Sequence, residues 1–214
     1  MRISETFYSI SGEGVHAGIP AMFIRLQGCN LRCGYCDTKY AQDPSGGIEL
    51  KADEIVSNNK SRWVVITGGE PLMQEGELEL LVDTLHLQKK KAEIETNGSF
   101  RPPIWFRSAD SWSVDVKCPC SGLSYGTFKT QWLTKLRKQD QLKFVVGAVE
   151  DLRFVNSFIS SSRVRPTLLI SPMTNDDGKW NTEWLQQCTE FCKENDVRLS
   201  LQLHKIIWGN KRGV

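Results

Sequence analysis

Apolar, β-branched runs alternate with helix-like stretches along most of the chain, and this alternation restricts the possible fold more than any other feature. Candidate strands are AMFIRL (21–26), WVVIT (63–67), AEIET (92–96), WSVDV (112–116), LKFVV (142–146), TLLIS (167–171) and VRLSLQ (197–202). Between them, ADEIV (52–56), GELELLVDTLHLQKK (76–90) and TNDDGKWNTEWLQQCTEFCKEN (174–195) read as helices. In the second, Leu78, Leu81, Val82 and Leu85 fall at i, i+3, i+4 and i+7. In the third, Trp184, Leu185, Cys188, Phe191 and Cys192 form one apolar stripe. Strands that alternate with helices favour parallel βαβ units. At 214 residues the chain is short for a closed eight-fold barrel, which typically needs ~250. The expectation is therefore an α/β fold, an open or reduced (β/α) barrel of about six parallel strands. A doubly wound sheet is the alternative. Neither an internal repeat nor a low-complexity linker interrupts the chain, so residues 1–214 read as one domain.

The residues that follow the strands point to chemistry. AMFIRL runs into Gln27-Gly28-Cys29, WVVIT into Gly68-Gly69-Glu70-Pro71, and AEIET into Asn97-Gly98. WSVDV runs into Lys117, TLLIS into Pro172-Met173, and VRLSLQ into Leu203-His204. In a parallel barrel the C-terminal strand ends share the face that carries the active site. The pattern argues for an enzyme. Charge excludes other classes: 27 basic against 25 acidic residues, net +2, give no electrostatic case for nucleic acid or an anionic membrane. The N-terminal stretch has no apolar signal region, and no apolar run is long enough to span a bilayer. The expected location is the cytoplasm, where thiols stay reduced. Seven cysteines in such a chain, clustered as a triplet, read as metal-binding or catalytic rather than as disulfides.

The triplet is Cys29, Cys33 and Cys36, spaced C-x3-C-x2-C. Structural zinc is normally four-coordinate. Cys33 and Cys36 match one zinc pair and Cys118 and Cys120 offer a candidate second, but Cys29 is then superfluous and the second pair has poor spacing. Iron–sulfur clusters suit thiolates equally well. Three cysteines hold three irons of a [4Fe–4S] cluster and leave the fourth open to a small-molecule chelate, the mark of a catalytic centre.

This loop after a first strand, with Tyr35 before its last cysteine, resembles the radical S-adenosylmethionine superfamily, and Gly68-Gly69-Glu70-Pro71 resembles that superfamily's GGEP motif. The resemblance implies a partial or modified (β/α) barrel of the radical SAM type, a [4Fe–4S] cluster on Cys29, Cys33 and Cys36, and S-adenosyl-L-methionine on the open iron. The stretch ETFYSISGEGVHAGIPAMFIRLQGCNLRCGYCDT is similar to the opening of 7-carboxy-7-deazaguanine synthases, and TGGEP, ETNG, DVKCP, ISPM and LQLHK follow in the expected order. That family implies a lyase in queuosine or deazapurine biosynthesis. It converts 6-carboxy-5,6,7,8-tetrahydropterin to 7-carboxy-7-deazaguanine with loss of ammonia.

The same resemblance implies residue roles. Ile10, Ser11, Gly12 and Glu13 match the substrate-binding segment. A carboxylate such as Glu13 can accept two N–H bonds from the 2-amino-pyrimidinone edge of a pterin. Arg25 suits the substrate carboxylate as a bidentate cation. Thr67 and His204 are expected beside the substrate. Gly69, Asp115, Lys117, Ser171, Pro172 and Met173 are expected beside the cofactor, with Lys117 also a candidate for proton transfer. Thr38 is expected to bind Mg2+ within a cluster loop spanning 27–39. The tail 204–214 is expected near the substrate pocket. Many relatives have Ser-Pro-Lys where this chain has Asp115-Val116-Lys117, and Gln where it has Ser11. Lys117 carries over best. A flavodoxin-like electron donor and a homodimer are the expected partners. The alternatives are an activase that places a glycyl radical on a partner enzyme and, from a different class, a non-catalytic zinc-binding module.

Overall fold

In the computed structural model the described residues are 1–57, 59–123, 126–161, 166–175 and 178–214. The strands are β1 (Arg2–Ile10), β2 (Pro20–Leu26), β3 (Ile48–Glu49), β4 (Trp63–Gly68), β5 (Lys91–Thr96), β6 (Ser111–Asp115), β7 (Gln141–Val146), β8 (Thr167–Pro172) and β9 (Arg198–Leu199). The α-helices are α1 (Ala52–Val56), α2 (Glu75–Leu87), α3 (Gln131–Lys135), α4 (Val149–Ser161), α5 (Thr182–Asn195) and α6 (Leu203–Trp208). These strands form one sheet in the order β3-β1-β2-β4-β5-β6-β7-β8-β9. From β2 to β9 every pairing is parallel, whereas β1 lies antiparallel to both β2 and β3. The sheet ends at β3 and β9, so the barrel is open, as the chain length suggests.

Alternation along the strands sorts the side chains by face. Ile24 and Leu26, Val64 and Ile66, Ala92 and Ile94, Trp112 and Val114, Leu142 and Phe144, and Ile170 are buried on one face. There they join Leu78, Leu81 and Leu85 of α2, Val155 of α4, and Cys188 and Cys192 of α5 in a single core. The opposite, inner face carries an apolar cluster near β2 and β4, where Ala21, Trp63, Val65 and Phe23 pack together, and single apolar residues at Val145 of β7 and Leu169 of β8. Further along, it carries Arg25, Thr67, Glu93, Glu95, Ser111, Ser113, Asp115, Gln141, Lys143 and Ser171. In all six long parallel strands the odd-numbered positions face inward and the even-numbered ones face the helices.

Three expectations change. The strand β1 and the helix α4 were not anticipated: β1 alternates exposed and half-buried residues of mixed polarity, and α4 buries only Asp151, Leu152 and Val155. The helix expected over 174–195 begins at Thr182, after its Asn181 side chain accepts the Trp184 N–H as an N-cap; part of the preceding stretch lies outside the described residues. The strand expected over 197–202 is confined to Arg198–Leu199, and Leu203 opens α6. His204 therefore stands on a helix rather than directly on a strand end. Cys188 and Cys192 are core residues, as their spacing on α5 suggests.

Candidate active site

The cysteine loop leaves β2 and is tied down on three sides. Cys29 N–H donates to the Gln42 carbonyl at 3.1 Å, Cys36 N–H to the Cys33 carbonyl at 3.2 Å, and Gly34 N–H to the Ser121 carbonyl at 2.9 Å. Asn97, at the end of β5, donates from Nδ2 to Asn30 Oδ1 at 3.0 Å and approaches the Cys29 sulfur at 3.9 Å. All three thiols are free and partly exposed. Burial pushes the thiols of Cys29 and Cys33 upward. Among the described residues no group of three His, Cys, Asp or Glu side chains is arranged around a single metal ion. A cubane cluster does not require that, because each cysteine ligates a different iron. Cys118 is buried and Cys120 donates to the Val145 carbonyl at 3.4 Å.

The Gly-Gly-Glu-Pro turn locks the neighbouring strand end onto this loop. Gly68 has φ +138°, and a Cβ on Gly69 would strike the carbonyl oxygens of Gly28 and Ala41. Only glycine permits so close an approach. Glu70 N–H donates to the Gly28 carbonyl at 2.8 Å. The Glu70 carboxylate is fully buried and accepts from Leu72 N–H, Thr96 Oγ1 and Asn97 N–H at 3.0, 2.7 and 2.7 Å. Burial pushes its carboxyl upward. Glu70 thus fastens the ends of β4 and β5 beside Cys29.

Across the loop stand Asp115 and Lys117. Lys117 Nζ donates to Asp115 Oδ2 at 2.7 Å and lies 5.6 Å from the Tyr35 ring centroid. Burial works against the Lys117 charge, but the charges of Asp115 and Cys33 outweigh it and hold its amine above the usual lysine range. The other Asp115 oxygen and the Tyr35 hydroxyl are buried without a hydrogen-bond partner. Two orphaned polar atoms beside three free thiols and a glycine cradle fit a polar cofactor carried on an iron–sulfur cluster. Ser171, Pro172 and Met173 end β8 on the same side; Met173 N–H donates to the Val146 carbonyl at 2.8 Å.

The 10–13 segment lies over the inner face. Ser11 exchanges backbone bonds with Gly18 and Ile19, and its hydroxyl turns back to the Glu13 carbonyl at 3.4 Å. Gly12 packs against His204 with no room for a side chain, and its carbonyl accepts the Leu203 N–H at 2.9 Å. Glu13 accepts from Lys143 Nζ at 2.8 Å on one oxygen and from Gln202 Nε2 at 2.7 Å on the other. Burial raises the Glu13 carboxyl, yet Lys143 and His204 more than compensate and hold it at about 2. Burial lowers His204 below its ordinary value. Beside Glu13, the Thr67 hydroxyl donates to Glu95 Oε2 at 2.7 Å. Burial holds the Glu95 carboxyl above its ordinary value. Arg25 pairs in register with Thr67, and its Nε donates to Glu5 Oε1 at 2.8 Å. Glu5 also accepts from Tyr40 and from Arg212 of the tail, at 2.8 and 2.7 Å. Ile10 lines a cleft of about 350 Å³ with Trp208 and Val214. Thr38 points its hydroxyl at the Cys36 sulfur, 3.6 Å away.

Sequence reasoning missed Lys143, Glu95, Gln141 and Gln202. The signal was available. Strands of a parallel sheet usually read as continuous apolar runs, whereas AEIET and WSVDV place polar residues at alternate positions and QLKFVV does so over its first four residues.

The sheet order, the cysteine loop and the glycine cradle define a protein of the radical SAM class. The family model described as Radical SAM superfamily matches residues 23–107. A crystal structure of QueE from Escherichia coli superposes with a TM-score of 0.71 at 24% identity, covering 95% of this chain and 94% of that one; it supports the fold. The 7-carboxy-7-deazaguanine synthase of Clostridium acetobutylicum is 40% identical over 100% of this chain and 99% of its own. That of Methanospirillum hungatei is 38% identical over 97% of this chain and 85% of its own. The chain belongs to the 7-carboxy-7-deazaguanine synthase family. Membership implies a [4Fe–4S] cluster, S-adenosylmethionine, a small-molecule substrate and a reductant. No helix among the described residues is long and apolar enough to cross a membrane.

Proposed function

We infer that this chain is a 7-carboxy-7-deazaguanine synthase, a radical SAM lyase. It converts 6-carboxy-5,6,7,8-tetrahydropterin to 7-carboxy-7-deazaguanine with loss of ammonia. The observation that carries the reading is the meeting of two motifs on one face: the Glu13 segment lies over polar strand positions whose ends border the cysteine loop. Cys29, Cys33 and Cys36 hold the cluster, and Gly69, Asp115, Lys117, Ser171, Pro172 and Met173 hold S-adenosyl-L-methionine. Together, when bound and reduced, these groups supply hydrogen-atom abstraction. The orphaned Asp115 oxygen supports a polar contact to the cofactor.

The residues of the chain do the positioning. Glu13 accepts from the pyrimidinone edge, with Ile10, Ser11 and Gly12 shaping its approach. Arg25 keeps N–H groups beyond its bond to Glu5 for the substrate carboxylate. Thr67 and His204 flank the ring. Lys117, held charged beside Asp115, stands ready to donate a proton on the cofactor side. Thr38 provides a hydroxyl for Mg2+, which prefers oxygen ligands and keeps waters. A flavodoxin-like protein supplies the electron, and the working form is a cytoplasmic homodimer.

The test is turnover by anaerobically reconstituted protein given S-adenosylmethionine, reductant, Mg2+ and 6-carboxytetrahydropterin. Mass spectrometry should find 7-carboxy-7-deazaguanine, absent in Cys29→Ala. Steady release of 5′-deoxyadenosine without any deazapurine would discard the pterin substrate.

A further inference from the structure

We propose that Lys143 is a specificity-determining residue whose ammonium donates to the 4-oxo oxygen of the pterin, so that Glu13 and Lys143 together read the heterocycle edge. The inference deepens the pterin reading given above and rests on it.

Lys143 projects from the middle of β7 onto the inner face, where it pairs in register with Asp115 on one side and Leu169 on the other. Its side chain is only 13% exposed. One N–H donates to Glu13 Oε2 at 2.8 Å. Among the described residues, its other two ammonium hydrogens have no hydrogen-bond partner. A lysine has three donors and is costly to bury unless they are used. Structure-stabilising lysines are ordinarily found with the ammonium in water and only the stem covered. Here the cation stands inside the site, and Glu13, Glu95 and Asp115 hold it protonated against burial.

The chemistry of the ligand edge matches. A 2-amino-4-oxo-pyrimidine presents an amino N–H, a ring N–H and a carbonyl oxygen in a row: donor, donor, acceptor. A carboxylate meets the two donors side by side. The third position then falls next to one carboxylate oxygen and calls for a donor. Lys143 sits beside Glu13 Oε2 and supplies one. Gln202 holds the far oxygen at 2.7 Å, so the carboxylate is fixed at both ends, each oxygen keeping a lone pair for the ligand. A carboxylate alone would accept any amidine-like edge. The adjoining ammonium demands the oxo group, because a buried donor facing a poor acceptor is penalised.

The experiment measures binding rather than turnover. Reconstituted protein without reductant is titrated with the fluorescent, fully oxidised 6-carboxypterin. A second titration uses its 4-thioxo analogue, which keeps the ring N–H but offers a weaker acceptor. The wild-type protein should prefer the oxo compound by about tenfold or more, the factor expected for one hydrogen bond to a charged group. Lys143→Met should bring the ratio close to one, and Lys143→Arg should restore much of it, with circular dichroism confirming that each variant is folded. A wild-type ratio near one overturns the assignment without any variant, and so does a ratio that survives in folded Lys143→Met. If the wild-type protein binds neither compound, the pterin reading falls as well; if it binds both equally, only the role of Lys143 does.

Discussion

At the residue scale the site is governed by charge compensation inside a largely buried network. Glu13 is ionised because Lys143 and His204 outweigh its burial. Its carboxyl lies at about 2 in the folded chain against an ordinary 4.5. A depressed folded value means that its contribution to stability is complete above about 4.5 and is lost as pH falls through about 2. Urea unfolding across that acid range should therefore show a slope that Glu13→Gln reduces; an unchanged slope would mean that the pair with Lys143 does not form. The sequence made Glu13 visible through its motif, but not its partners. Lys143 is separated from it by 130 positions and lies within a run that reads simply as a strand. Gln202, 189 positions away, looks like part of another. Such pairings depend on which strands become neighbours, and local pattern does not specify that.

At the element scale the fold was largely legible where periodicity was strong. The strands β2 and β4 to β8, and the apolar stripe of α2, follow directly from the pattern of residues. Elements with weak patterns were not legible: β1 because its exposed and half-buried residues of mixed polarity do not alternate cleanly, and α4 because it buries few apolar side chains. The short ends of β9 and α6 depend on packing that no local signal encodes. The stability of the sheet should follow the helix-covered face. Trp112 on β6 is fully buried, donates from Nε1 to the Phe106 carbonyl at 2.9 Å, and packs against Trp105, Phe106 and Trp132. Trp112→Ala should cost about 3–5 kcal/mol in chemical denaturation. A loss near that of an exposed substitution would place this aromatic cluster outside the cooperative core.

At the scale of the whole molecule the chain closes on itself. The tail returns from α6 to the first strand, where Arg212 donates to Glu5 and stacks 3.7 Å from the Tyr40 ring centroid. Glu5 in turn holds Arg25, so one carboxylate joins the tail, the first strand and the inner face. The bridge to Arg212 is half exposed and adds little to global stability. Arg212→Ala should leave the melting temperature nearly unchanged and accelerate amide exchange across 204–214; unaltered exchange would show that the tail is held by other contacts. The division of the strands into odd and even positions has a wider consequence. From β5 to β7, the apolar residues that pack under the helices and the polar residues that face inward share the same strands but alternate along them. A new ligand preference can therefore be written at Glu95, Ser113 and Lys143 while Ile94, Trp112, Leu142 and Phe144 stay fixed. The chain behaves as two interleaved texts, one for folding and one for recognition, and each can be edited without rewriting the other.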